Sequence, residues 1–163
     1  MNERAPDHGP GGHRTSATER IRAALDISPL AVIALAALGV PRVIAHDLGP
    51  VPAAVNAVLV FAPIAVWIGY VLWRRVPNPF PALLAVGACY GLLLALTHQV
   101  LWGAAFADDP PRLGGNLEGR LSPGAEELVM RGFAMGSSVV TGVLLGAATG
   151  AVAWLLAKVT DRV

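Results

Sequence analysis

Four stretches of apolar residues, near 29–47, 51–73, 80–102 and 132–157, run almost free of charge along this chain. Each approaches or exceeds the roughly 20 residues that a helix needs to cross a bilayer. None alternates apolar and polar positions as lipid-facing barrel strands do, and backbone groups in hydrocarbon must bond internally, so helices are the remaining solution. The pattern therefore predicts an all-α, four-helix transmembrane bundle. Ser28-Pro29 and Ser122-Pro123 each place a capping hydroxyl before a proline suited to a first helical turn. Pro41 lies inside the first span and is expected to kink it.

The segments between the spans fix their arrangement. Leu48 to Pro50 and Arg74 to Pro79 are short, so consecutive helices run antiparallel, and Pro77, Pro79 and Pro81 make the second turn a stiff link. The connection at 103–121 is the longest, with Pro110-Pro111 and Gly114-Gly115, and predicts no regular structure. Residues 1–22 are rich in Pro, Gly and charge and read as a disordered tail ahead of a membrane domain at 23–163. His8 and His13 in that tail are expected to be solvated. Eight basic residues (Arg4, Arg14, Arg20, Arg22, Arg74, Arg75, Lys158, Arg162) fall on one side against four on the other (Arg42, Arg112, Arg120, Arg131). The positive-inside rule then puts both termini in the cytoplasm and the long loop outside. A cleavable signal ending at Ala45 is the competing reading of the first span and would leave three helices.

Composition supports the membrane and narrows the partners. Charged residues are 14% of the chain, where a soluble domain carries about a quarter. Twelve basic against eleven acidic residues leave no excess to hold a phosphate backbone, which excludes nucleic acid as the main ligand. Cys89 stands alone, so no internal disulfide or multi-thiolate metal site is expected, and no cofactor is implied. The preference for Arg over Lys, with abundant Ala, Gly and Val, suggests a GC-rich bacterial origin and hence a bacterial inner-membrane protein.

Two features stand out within the spans. Ala134, Ser138, Gly142, Gly146 and Gly150 recur every four residues in the last span, and Gly87, Gly91 and Ala95 form a similar stripe in the third. Faces without bulky side chains let helix backbones approach closely, either within one subunit or between two copies. The second feature is a polar layer. At 1.5 Å per residue, Arg42, Asn56, His98 and Ser138 lie roughly 6–9 Å below the outer boundary, with His46 and Asp47 at the mouth above. An ionisable residue inside a membrane is a functional candidate. Arg42 could hold an anion or lipid head group, and His46 and His98 could ligate a metal or haem, or the set could serve hydrogen bonding between helices.

One short segment resembles a known family. Glu126-Glu127-Leu128-Val129-Met130-Arg131, followed by Gly132-Phe133, is similar to the EExxxR motif of membrane CAAX-type prenyl proteases and bacteriocin-processing proteins. That resemblance implies paired glutamates working in metal-dependent peptide hydrolysis with downstream histidines. It covers eight residues, and this chain has no histidine after Arg131. A helix start with Glu126 and Glu127 near its positive end, and a Glu127–Arg131 pair at i, i+4, accounts for the same residues. No carboxylate lies in the middle of a span, which disfavours proton-driven transport. No Ser-His-Asp set, phosphate-cradling glycine loop or zinc spacing occurs either. The expectation is a non-catalytic accessory or scaffold subunit, packing with the bilayer and with itself or a larger complex through its glycine stripes. The alternative is a small ligand-handling protein, transporter-like or haem- or metal-binding, using Arg42, His46, Asn56, His98 and Ser138.

Overall fold

A computed structural model describes residues 25–107 and 109–160. The tail and its two histidines lie outside the described residues. The described chain is helical, with no strand among its residues: α1 (Pro29–Ala37), α2 (Val40–Leu48), α3 (Ala53–Trp73), α4 (Pro79–Ala105), a 3-10 turn at Gly115–Leu117 and α5 (Pro123–Val159). Counting α1 and α2 as one segment, four helical units are long and apolar enough to cross a membrane. α5 has 37 residues and is about 55 Å long, well beyond the ~30 Å hydrocarbon thickness, so its charged first turns extend past the apolar stretch.

The first span is two helices rather than one kinked helix, and the break at Leu38-Gly39 precedes Pro41. The cause is local: Pro41 has no N–H for the carbonyl four residues back, and its ring crowds that carbonyl, so the ladder fails before the proline itself. Leu38 and Gly39 instead donate to the carbonyls of Leu35 and Ala36 in 3-10 fashion, at 3.2 and 3.1 Å. The Trp67 indole also donates to the Leu35 carbonyl, at 2.7 Å. Tyr90 packs over Gly39, where any Cβ would collide with the ring, and meets Trp67 edge-on with centroids 5.8 Å apart. Trp67→Phe is expected to cost about 1–2 kcal/mol, the value of a buried hydrogen bond in a dry setting, read as a lower unfolding midpoint in detergent.

Helix ends follow the sequence in part. The Ser28 hydroxyl accepts from Ala31 N–H at 3.2 Å as a cap. Ser122 makes no side-chain cap; its carbonyl accepts from Glu126 N–H at 2.9 Å. With Pro123 offering no N–H and the first residues of α5 exposed, nothing there demands the hydroxyl. α3 closes with Arg75 in the left-handed region (φ 52°), while Val76, buried at 4%, donates back to the Val71 carbonyl. That is the hydrophobic helix stop usually built with glycine.

α4 is the central helix: 44% of its most apolar stretch is buried, against 17% for α3. It packs chiefly on α5 along the glycine stripes. A Cβ on Gly87 would strike the Gly142 carbonyl and the Gly146 backbone, and one on Gly142 would strike Gly87 and Gly91. A Cβ on Gly91 would meet Ser138 and Val139 backbone at 3.0 Å, and one on Gly150 the Phe80 carbonyl at 2.9 Å. Gly87, Gly91, Gly142, Gly146 and Gly150 therefore face one another inside one chain, with α1, α2 and α3 arranged around the pair.

Candidate functional site

α2 follows the break and carries Arg42, Val43, His46 and Asp47 toward the C-terminal half of α4 and the first half of α5. Its periodicity decides which of them turn inward. Val43 is almost fully buried at 1%, and the residues one turn on, His46 and Asp47, stand above it.

Asp47 forms the tightest polar contact of the group. Its side chain is 5% exposed, and its Oδ2 lies 2.6 Å from His98 Nδ1 on α4. The same carboxylate is 3.5 Å from His46 Nδ1 on the neighbouring residue. A carboxylate at this distance accepts the Nδ1 proton of His98, which leaves Nε2 as the free nitrogen of that ring. The pair joins α2 to α4, so it is both a structural clasp and a means of orienting His98.

Between α2, α4 and α5 lies a cavity of about 220 Å³ lined by Arg42, His46, His98, Ser137, Ser138 and Thr141, among others. Four of the five residues singled out from the sequence meet here. His46 is at the rim, its side chain 70% exposed, and His98 is deeper at 30%. Ser138 is buried, and its hydroxyl donates to the Ala134 carbonyl at 2.7 Å. Asn56 does not line this cavity. Its depth matches the others, but depth sets only the level; rotation about the axis of the loosely packed α3 sets the face.

Arg42 is half-buried, and its Nε is sealed from solvent without a hydrogen-bond partner. Among the described residues no carboxylate forms an ion pair with it. Asp47, the nearest acid in sequence on the same helix, is engaged by His98. The Tyr90 side chain lies beside the guanidinium, within electrostatic and hydrogen-bonding reach of it, so the missing partner is that of Nε. Buried donors left unpaired cost free energy, more so when charged, and are ordinarily satisfied by a ligand, ion or water.

Four contributors are not marked by the pattern along the chain: Asp47, Ser137, Thr141 and Tyr90. Asp47, expected at the mouth, lies in the core of the cluster. Thr141 sits one turn beyond Ser138 on α5, and Tyr90 two turns before His98 on α4. The available signal for Asp47 was an acid closing an apolar run at the depth of a histidine on another helix.

A second polar group lies at the start of α5. Arg131 donates from Nε to Glu127 at 2.9 Å and from Nη1 to Gln99 at 3.2 Å, and stands 4.8 Å from the Trp102 ring centroid. Glu126 accepts from the Leu113 N–H and so ties down the loop between α4 and α5. The two glutamates thus hold a loop and an arginine, the structural account of the EExxxR-like segment. Among the described residues, no three His, Cys, Asp or Glu side chains converge as metal ligands.

No family model, curated protein or solved structure matches this chain.

Proposed function

We propose that this is a small multi-pass protein of the bacterial inner membrane, with cytoplasmic termini, that holds an anionic group in the outer cavity between α2, α4 and α5. Arg42 is the binding cation. The observation that carries this reading is the buried, unpartnered Nε of Arg42 at a cavity that also has two imidazoles and three hydroxyls. A guanidinium presents planar forked donors that match carboxylate and phosphate oxygens. The Thr141 hydroxyl offers a further donor, whereas the Ser137 and Ser138 hydroxyls donate their protons to the Ala134 carbonyl and present lone pairs; His98, oriented by Asp47, offers Nε2 to a ligand as acceptor when neutral and donor when protonated. The reading is one of binding or passage, because its central group is a cation suited to holding an anion.

The accessory-subunit reading keeps one supporting observation of its own. The glycine stripes are occupied between α4 and α5, but α3 leaves Val55, Val58, Phe61 and Val66 outward, a face that bilayer lipid or a partner helix would cover.

Native mass spectrometry of the protein extracted gently from its own membrane tests the anion reading. The wild-type spectrum is expected to carry an anionic adduct that is absent from Arg42→Gln. Identical spectra from the two proteins, with no adduct in either, would overturn it and leave the accessory reading.

A further inference from the structure

The outer cavity does not end at Arg42. A second cavity of about 230 Å³ lies on the inner side of that residue, and Arg42 and Thr141 line both. Apart from those two, its walls are nearly all apolar: Leu59, Val60, Pro63 and Ile64 of α3, with the Trp67 and Tyr90 rings and Leu145. Leu59 and Pro63 also border a third hollow of about 180 Å³, lined only by apolar residues, between α3 and the Leu38–Pro41 break. The guanidinium therefore stands where a polar chamber joins an apolar track along α3.

From this juxtaposition we infer that the ligand is an anionic amphiphile of the bilayer, its head group on Arg42 in the outer cavity and its hydrocarbon chain in the apolar cavity beside Trp67. The inference rests on the anion reading above and specifies its ligand. A free small anion uses the outer cavity alone and leaves the apolar walls without contact atoms, forfeiting their dispersion energy. An uncharged chain fills the apolar cavity and leaves the Arg42 Nε unpaired. Only a molecule with both parts satisfies both walls. The break between α1 and α2 borders it: Gly39 lets the Tyr90 ring pack close, and both line the apolar cavity with Arg42.

The test uses the full-length protein in nanodiscs of phosphatidylcholine, with hexadecyl phosphate, hexadecanol and inorganic phosphate as probes. Hexadecyl phosphate is expected to bind about tenfold or more tightly than either of the others. Val60→Trp, which fills the apolar cavity, is expected to weaken hexadecyl phosphate about tenfold and leave inorganic phosphate unchanged. Arg42→Gln is expected to reduce hexadecyl phosphate to the level of hexadecanol, and Arg42→Lys to retain part of the preference. Should inorganic phosphate bind the wild type as well as hexadecyl phosphate does, with Val60→Trp without effect, the amphiphile is wrong and the anion reading stands. If both phosphates bind Arg42→Gln as they bind the wild type, both readings fall. If Arg42→Gln does not fold, the wild-type comparison of the three probes and Val60→Trp decide the inference by themselves.

Discussion

Gly87→Leu is expected to abolish the native packing of α4 on α5 and so most of the folded protein. The colliding atoms are backbone atoms of Gly142 and Gly146, which have no rotamer through which to move aside. Overpacking a well-fitted interior costs about 1–3 kcal/mol when side chains can adjust, and this site falls at or above the top of that range. Gly142→Leu is expected to behave alike, since its Cβ would meet Gly87 and Gly91 from the opposite side. Gly136→Leu is the control: it lies on the same helix, but nothing stands within 4 Å of an added Cβ, and its effect is expected within about 0.5 kcal/mol. Thermal unfolding in detergent, with size-exclusion chromatography of the folded fraction, checks all three. If Gly87→Leu melted like the wild type but lost an oligomer, the stripe would belong to an interface between copies instead.

The second large effect concerns the Asp47–His98 clasp. Asp47→Ala and His98→Ala are each expected to destabilise the protein by about 1–3 kcal/mol, the cost of leaving a buried charged or polar partner unmatched. The double variant is expected to cost little more than the worse single one, because the two side chains serve one contact at 2.6 Å. His46→Ala is expected to have a small effect, its ring being 70% exposed and 3.5 Å from the carboxylate. Additive losses in a double-mutant cycle would mean that the two residues act separately. Asp47→Ala also frees His98 to turn, so weakened retention of the anionic adduct in this variant, with Arg42 intact, would assign the clasp a positioning role.

Most of the fold was legible because its causes are local and one-dimensional. Apolar length against bilayer thickness fixed the number of spans, and short proline-bearing links fixed that neighbours run antiparallel. Four-residue spacing of small side chains identified which faces of the third and fourth spans could approach closely. Ser28 capped as its sequence context required, and Glu127 and Arg131 paired at one turn's separation. The position of the break was half legible. Pro41 announced a disturbance, but its location at Leu38-Gly39 depends on Tyr90 closing over Gly39 and on Trp67 donating to Leu35, partners 51 and 32 residues away.

The candidate site was legible only as a depth. Rise per residue placed Arg42, Asn56, His98 and Ser138 at one level, because position along a helix axis follows from counting. Which of them meet depends on how each helix is rotated and how closely it packs, and those follow from contacts between distant segments. The tight α4–α5 pair turned His98 and Ser138 toward α2, while the sparsely packed α3 left Asn56 away from the cavity. The burial of Asp47 and the solitude of the Arg42 Nε are likewise tertiary facts, since charge and hydropathy along the chain register a residue's type and not its neighbours. The sequence by itself determined that four helices are long and apolar enough to cross a membrane, with a polar layer near one end. Only the tertiary structure decided that the glycine faces close on each other and that a guanidinium with an unpartnered Nε stands between a polar chamber and an apolar one.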